Sequence, residues 1–225
     1  MSLTEDVVTE PYLRGAYAPV RDEVDLVDLE VTGAIPAELN GSFLRNGPNP
    51  MFAPAGKYHL FDGDGMIHEL TLEDGRARYR NRWIRSRGLG AEQAAGAALY
   101  GGMANASFPG PDIVGDAGPM KNVANTHVVR HAGEILCLWE AGPPTVLDPS
   151  LSTIGTTDFG GRLQGPFTAH PKIDPSTGRM FAFGYSALPP YLRYHVIEAD
   201  GTLSRTVDID LPAPVMMHDF VVTDR

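Results

Sequence analysis

The chain has 225 residues, with 18 Lys and Arg against 28 Asp and Glu, a formal net charge of −10 with His neutral. So acidic a chain lacks the Lys/Arg clustering that releases counterions from phosphate, which argues against a nucleic-acid binder, and 43% hydrophobic residues excludes a disordered polymer. No apolar run approaches the roughly 18 residues needed to span a bilayer, and the single cysteine, Cys137, cannot form an internal disulfide, which fits a reducing, cytoplasmic compartment.

In chain order, residues 1–10 are polar and acidic, with no apolar core of a signal peptide. Residues 66–72 alternate, Glu73-Asp74-Gly75 turns, and residues 76–84 alternate again; Asp-Gly between alternating runs is a strong hairpin signal. The arginines between Arg76 and Arg87 read as the solvated face of that hairpin. Ala91 to Leu99 predicts a short helix, set in a long irregular segment from Gly88 to Gly118. Residues 126–133 and 134–139 predict a second hairpin turning at Gly133. A Pro/Gly turn at 172–178 precedes a strand over 179–185, residues 192–198 and 202–211 flank Asp200-Gly201, and a further strand is expected over 218–223. With 25 glycines and 19 prolines, well above the roughly 12% combined share of an average protein, the chain is rich in turns. Turns near 75, 133, 178 and 201 suggest an all-β sandwich or propeller, although no sequence repeat is visible. Ending on Asp219 to Arg225, where a strand would turn back, the sequence reads as a fragment with open sheet edges.

Seven histidines are candidate ligands. His127 and His131 lie four apart on an alternating hairpin, a spacing on a strand that disfavours one shared metal. His170, before Pro171, and His218 sit at loop-to-strand positions, where β scaffolds place functional groups; metal ligation and a structural, hydrogen-bonded role both remain open. Glu140 closes the apolar run Ile135 to Trp139 and needs a donor, for which an imidazole N–H is suitable. Phe61-Asp-Gly-Asp-Gly65 reads as a double turn, since it lacks the spaced acids of a calcium loop. Cys137 reads as an inert core thiol, and neither a Gly-x-Ser-x-Gly elbow nor a phosphate-binding glycine loop is present.

Taken together, Arg45-Asn-Gly-Pro-Asn-Pro50, Phe61-Asp-Gly-Asp-Gly-Met-Ile-His68, Ala124-Asn-Thr126, Leu138-Trp-Glu140, Ala169-His-Pro-Lys172 and Met217-His-Asp-Phe220 occur in an order that resembles the carotenoid cleavage oxygenase family, in particular its bacterial apocarotenoid-type dioxygenases. The resemblance runs from about Val20 to Arg225. It implies a seven-bladed β-propeller, of which this chain supplies roughly the first half as one truncated domain over residues 1–225. It also implies a non-haem Fe(II) held by four histidines, with His170 matching the first ligand and His218 the second. Glu140 matches a glutamate that accepts from the imidazole of His218, and Thr126 a residue near the vacant coordination position. The implied reaction adds O2 across a conjugated C=C bond of a carotenoid or apocarotenoid to give two carbonyl products. Trp139 stands where stilbene cleavers are expected to carry Lys, so the resemblance favours an apolar polyene over a phenolic substrate. Met216 is expected either to line the substrate tunnel or to be plain core.

The remaining ligands lie outside this sequence, so the chain alone is expected to bind iron weakly and to lack activity. Two alternatives differ in kind: stilbene or phenylpropene cleavage by the same family, and a non-catalytic propeller that binds an apolar ligand. No obligate protein partner is implied. Peripheral membrane contact through Leu89, Leu99, Tyr100, Met103 and Phe108 accompanies the cytoplasmic expectation.

Overall fold

The computed structural model describes residues 10–223; the expectations for residues 1–9 and for the last two residues lie outside it. The chain divides into two compact units, one ending at Asn125 and one beginning at Thr126.

In the first unit, β1 (Asp25–Leu26), β2 (Gly41–Pro48), β3 (Gly65–Glu73) and β4 (Arg76–Trp83) form one antiparallel sheet in the order β1-β4-β3-β2. The β3–β4 hairpin closes on Asp74 and Gly75, with φ of 49° and 72°, between the paired residues Glu73 and Arg76. Two left-handed residues match the twist of the flanking strands, which is why Asp-Gly was a reliable signal. Met66, Trp83 and Leu89 pack into a core with Met51 and Phe52. Fully buried Asn81 ties the N-terminal segment to the sheet, accepting from the Val24 N–H at 2.7 Å and donating to the Asp22 carbonyl at 2.9 Å.

The arginine face is largely solvated, as its sequence implies: Arg76, Arg78, Arg85 and Arg87 are exposed, and Arg80 and Arg82 half-buried. Arg78 pairs with Asp25 at 3.0 Å and Arg85 with Glu23 at 2.6 Å, while Arg80 is mostly covered and ion-paired to Glu69. Acids on β3 and the N-terminal segment thus partner Arg78, Arg80 and Arg85, while Arg87 pairs with Asp116.

The segment after β4 is more ordered than expected. Helix α1 spans Arg87–Ala95, earlier than Ala91 to Leu99, because the Ser86 hydroxyl caps it by accepting from the Leu89 N–H at 3.2 Å and Gly96, at φ 67°, ends it. Gly88 sits inside it, where a Cβ would meet the Lys121 side chain at 2.8 Å. A short helix α2 (Pro111–Val114) follows, and the Tyr100 hydroxyl donates to the Gly118 carbonyl at 3.1 Å. The 61–65 stretch is local turn structure: a short 3-10 helix over Leu60–Asp62 capped by His59, then Asp64 buried against Lys121.

The second unit holds two antiparallel meanders. One is β5 (His127–His131), β6 (Glu134–Leu138), β7 (Thr145–Leu147) and β8 (Thr153–Thr156) in that order; the other is β9 (Lys172–Ile173), β10 (Met180–Tyr185), β11 (Leu192–Ile197) and β12 (Leu203–Ile209), also in sequence order. Leu136, Leu138, Val146, Phe167, Met180, Ala182, Ile197 and Leu203 fill their shared core. Cys137 is fully buried on β6, and burial pushes its thiol up to about 12, so it is the inert core group its sequence position suggested. The strand expected over 218–223 does not form: the residues from Asp210 to Thr223 have no regular structure. Pro212 and Pro214 precede it and cannot donate to a ladder, and side chains hold its backbone instead.

Candidate metal centre

Glu140, His170 and His218 converge in the second unit, each offering one ligand atom, all within 4.8 Å of one another. Three different local structures bring them there. Glu140 lies two residues past the end of β6. His170 lies in the bend before β9, shaped by Thr168: the buried Thr168 donates its N–H to the Phe183 carbonyl at 2.7 Å, and its hydroxyl accepts from the His170 N–H at 3.0 Å. His218 lies on the irregular segment after β12. Its neighbours pin it: Asp219 pairs with Lys172 at 2.7 Å, and the Phe220 ring packs edge-on to Phe183 with centroids 5.1 Å apart. Lys172 Nζ stands 5.7 Å above the same Phe220 ring.

Both oxygens of Glu140 are engaged. One meets Nδ1 of His218, and the other accepts from the Tyr185 hydroxyl at 2.6 Å. The imidazole rings of His170 and His218 lie 4.5 Å apart at 65°. Nε2 of His170 is buried and has no hydrogen-bond partner. Burial, then the neighbouring His218, hold the His170 pKa below its ordinary value, so the ring stays neutral with a lone pair to give. Burial, then the bond to Glu140, push the Tyr185 phenol up, so it keeps its proton and donates.

These groups suit a metal. An orphaned buried imidazole nitrogen wants an electrophile, and a second imidazole whose Nδ1 faces a carboxylate presents Nε2. Because each oxygen of Glu140 already has a partner, the arrangement fits two imidazole ligands with Glu140 behind one of them better than a carboxylate ligand.

Thr126 and Trp139 flank the last pair of the β5–β6 ladder, His127 and Leu138, so they lie at the hairpin end that carries Glu140. Neither joins the three-residue cluster. Met216, two residues before His218 on the irregular segment after β12, is 82% exposed on this chain. His127 and His131 do not share a site: His131 pairs with the Gly178 carbonyl at 3.0 Å, whereas His127 Nδ1 donates to the Ala169 carbonyl at 2.9 Å, its ring 5.6 Å from that of His170. Sequence reasoning missed Tyr185, and it named Lys172 and Phe220 only as the ends of two motifs, without the contact between them. The one available signal was Phe181, Phe183 and Tyr185 sharing a face of β10 by alternation.

Residues 17–225 match the family described as RPE65, retinal pigment epithelial membrane protein. The chain belongs to this family of carotenoid cleavage oxygenases. It is 44% identical over 230 residues to carotenoid 9,10(9',10')-cleavage dioxygenase 1 of Arabidopsis thaliana, covering 95% of this chain and 43% of that protein. It is 46% identical over 220 residues to the carotenoid cleavage oxygenase of Mycobacterium tuberculosis, covering 96% and 41%. The lignostilbene dioxygenase of Pseudomonas brassicacearum superposes with a TM-score of 0.85 at 33% identity, over 96% of this chain and 46% of that one. The chain thus spans less than half the length of the family members it matches. Its three four-stranded sheets are blades of the family's β-propeller, and its fold class is all-β. No described helix is long and apolar enough to cross a membrane.

Proposed function

We propose that this chain is part of a non-haem Fe(II) dioxygenase that cleaves a conjugated C=C bond of a carotenoid or apocarotenoid into two carbonyl products. His170 and His218 supply two of the iron ligands. The observation that carries this reading is the buried, unpartnered Nε2 of His170 beside a His218 whose Nδ1 is taken by Glu140. The names of the Arabidopsis and Mycobacterium relatives support the reaction class. When bound, a ferrous ion supplies activation of dioxygen toward the alkene. The residues do the rest: Thr168 and His127 fix the bend that carries His170, Glu140 orients the His218 ring, and Trp139 offers a flat apolar surface next to Glu140 on which a polyene can lie. Thr126, at the same hairpin end, is the candidate for limiting access to the open coordination position.

The likeness to a lignostilbene dioxygenase favours stilbene or phenylpropene cleavage as a second reading. Trp139 decides between them: if Trp139→Lys, made in a chain carrying all the iron ligands, leaves turnover of an apocarotenal untouched, the use of this ring as a polyene wall fails. Of the five residues expected at a lipid surface, Leu89 and Tyr100 are buried, at 0% and 8% exposed, and drop out, and Leu99 is half-buried; Met103 and Phe108, at 63% and 65%, are what supports peripheral contact with a lipid surface.

In the family pattern the site takes four imidazoles. We propose that the two on this chain, in one propeller domain that it only partly supplies, hold iron weakly and turn nothing over. Iron analysis and product detection on the purified 225-residue chain test this. The expected result is substoichiometric iron and no product. Stoichiometric iron with cleavage of an apocarotenal overturns it, and retinoid binding without iron in a chain carrying all the ligands would favour a non-catalytic binder.

A further inference from the structure

The polar chain at the metal centre does not stop at Glu140. Tyr185 is the last residue of β10, paired with Leu192 of β11, and the strand end is closed by the Ser186 N–H donating to the Tyr191 carbonyl at 3.0 Å. Its backbone is therefore held by the sheet. Its hydroxyl reaches Glu140 Oε2 at 2.6 Å, a short charge-assisted bond. Glu140 itself lies beyond β6, outside the ladder, so side-chain partners set the rotation of its carboxylate. With Oε2 anchored by a donor fixed to the sheet, Oε1 faces His218 Nδ1.

We propose that Tyr185 is a positioning residue that, through Glu140, decides which ring nitrogen of His218 carries the proton. A carboxylate only accepts, so a neutral His218 facing Oε1 must put its hydrogen on Nδ1, which leaves the Nε2 lone pair for a metal. In water the preference of a neutral imidazole is the reverse, with the proton on Nε2. The consequence for metal affinity rests on the reading of His218 as a ligand; the consequence for the tautomer does not.

The test is long-range 1H–15N NMR of histidine-labelled, metal-free 225-residue chain at alkaline pH, with His218→Asn used to assign the signal. His218 is expected in the Nδ1–H form. Tyr185→Phe removes one oxygen and should raise the Nε2–H form several-fold. Glu140→Gln gives an independent readout should Tyr185→Phe not fold. The Tyr185 hydroxyl then donates to the amide oxygen, turning the NH2 group toward Nδ1, so His218 should switch to Nε2–H; adding Tyr185→Phe should relax that switch. A wild-type His218 already in the Nε2–H form, a tautomer unmoved by Tyr185→Phe, or no switch in Glu140→Gln each overturns the proposal.

Co(II) titration separates this from the metal reading. Tyr185→Phe should weaken Co(II) binding about tenfold, the lower end for outer-shell partners, and His170→Ala should weaken it more. If the tautomer moves as stated but His170→Ala leaves Co(II) affinity unchanged, the metal reading fails and the role of Tyr185 stands. If His170→Ala removes Co(II) binding but the His218 tautomer ignores Tyr185, the reverse holds.

Discussion

Each unit of the chain contains a polar cluster, buried in the first and half-exposed in the second, and the two are built to opposite ends. In the first unit, Lys121 lies between Asp64 and Glu92, whose side chains are only 4% and 2% exposed. Glu92 also accepts from the Leu99 N–H at 2.9 Å. Burial by itself would discharge the lysine, but the two carboxylates outweigh it and hold its pKa above the ordinary value. In the second unit, both oxygens of Glu140 have partners, yet the neighbouring His170 keeps a buried nitrogen with no partner. The first cluster is closed and ties a long connection to a helix. The second is left open on one side, and an open valence beside a second imidazole is what marks a site.

Breaking the closed cluster should have the largest effect. Lys121→Met leaves two buried carboxylates without a counter-charge, which should cost about 3–5 kcal/mol of stability, read by urea unfolding. The triple change Lys121→Met, Asp64→Asn, Glu92→Gln should recover much of it. A loss under about 1 kcal/mol for the single variant would mean the cluster is hydrated and not closed at all.

His195 sharpens the comparison, because it too has a buried Nε2 without a partner, yet among the described residues it belongs to no cluster of three candidate metal ligands. The ring is fully buried on β11, bonded through Nδ1 to the Thr206 hydroxyl at 3.0 Å and stacked 6.4 Å from Phe167. Burial, then Arg193, lower its pKa to about 4, against a partial opposing pull from Asp208. A depressed histidine means that below the ordinary value near 6.5 the unfolded chain takes up a proton that the folded chain refuses. Stability should therefore fall as pH drops from about 6.5 to about 4 and level off below, by up to roughly 3 kcal/mol from this residue. The same pH series on His195→Gln should be flatter by that amount; an identical slope would show that His195 is not titrating as a buried group. An unpaired nitrogen outside any three-ligand cluster thus becomes an acid-sensitivity of the fold, not a site.

The sequence carried the elements whose cause is local. Asp74-Gly75 and Ala132-Gly133 adopt the left-handed turns that their hairpins need, and these turns place β3 to β6 where alternation put them. His170, His218 and Glu140 were legible because they sit in short motifs whose order resembles a family, and the structure brings them together. What could not be read was long-range. Tyr185 meets Glu140 from 45 residues away, and nothing in Phe-Gly-Tyr announces it. The strand expected at 218–223 failed for a related reason: alternation describes a face, but a ladder also needs a partner, and there Lys172 and Phe183 take the partner's place. The helix lies at Arg87–Ala95, earlier than the sequence reading, because the Ser86 cap, the Gly96 stop and the burial of Leu89 together offset the cost of Gly88 and Gly90 inside it.

The smallest expected effect is at His127, and it tests whether the open side of the second cluster is held as firmly as the closed one. The Ala169 carbonyl can only accept, so Nδ1 of His127 donates the bond at 2.9 Å that fixes the peptide before His170. The Thr168 hydroxyl fixes the other flank of the same bend through the His170 N–H. With one of two restraints lost, the His170 ring should stay in place but with a wider spread of orientations. One neutral hydrogen bond is worth about 1 kcal/mol, or roughly a fivefold change in an equilibrium constant. His127→Phe should therefore weaken Co(II) binding about fivefold. His127→Asn, whose amide NH2 reaches the position of Nδ1, should restore most of it. Equal losses in Phe and Asn would show that the ring itself, 5.6 Å from His170, matters more than its hydrogen bond. No loss in either would show that Thr168 alone sets the bend, which would make the open nitrogen of His170 a product of its own loop and not of the sheet beside it.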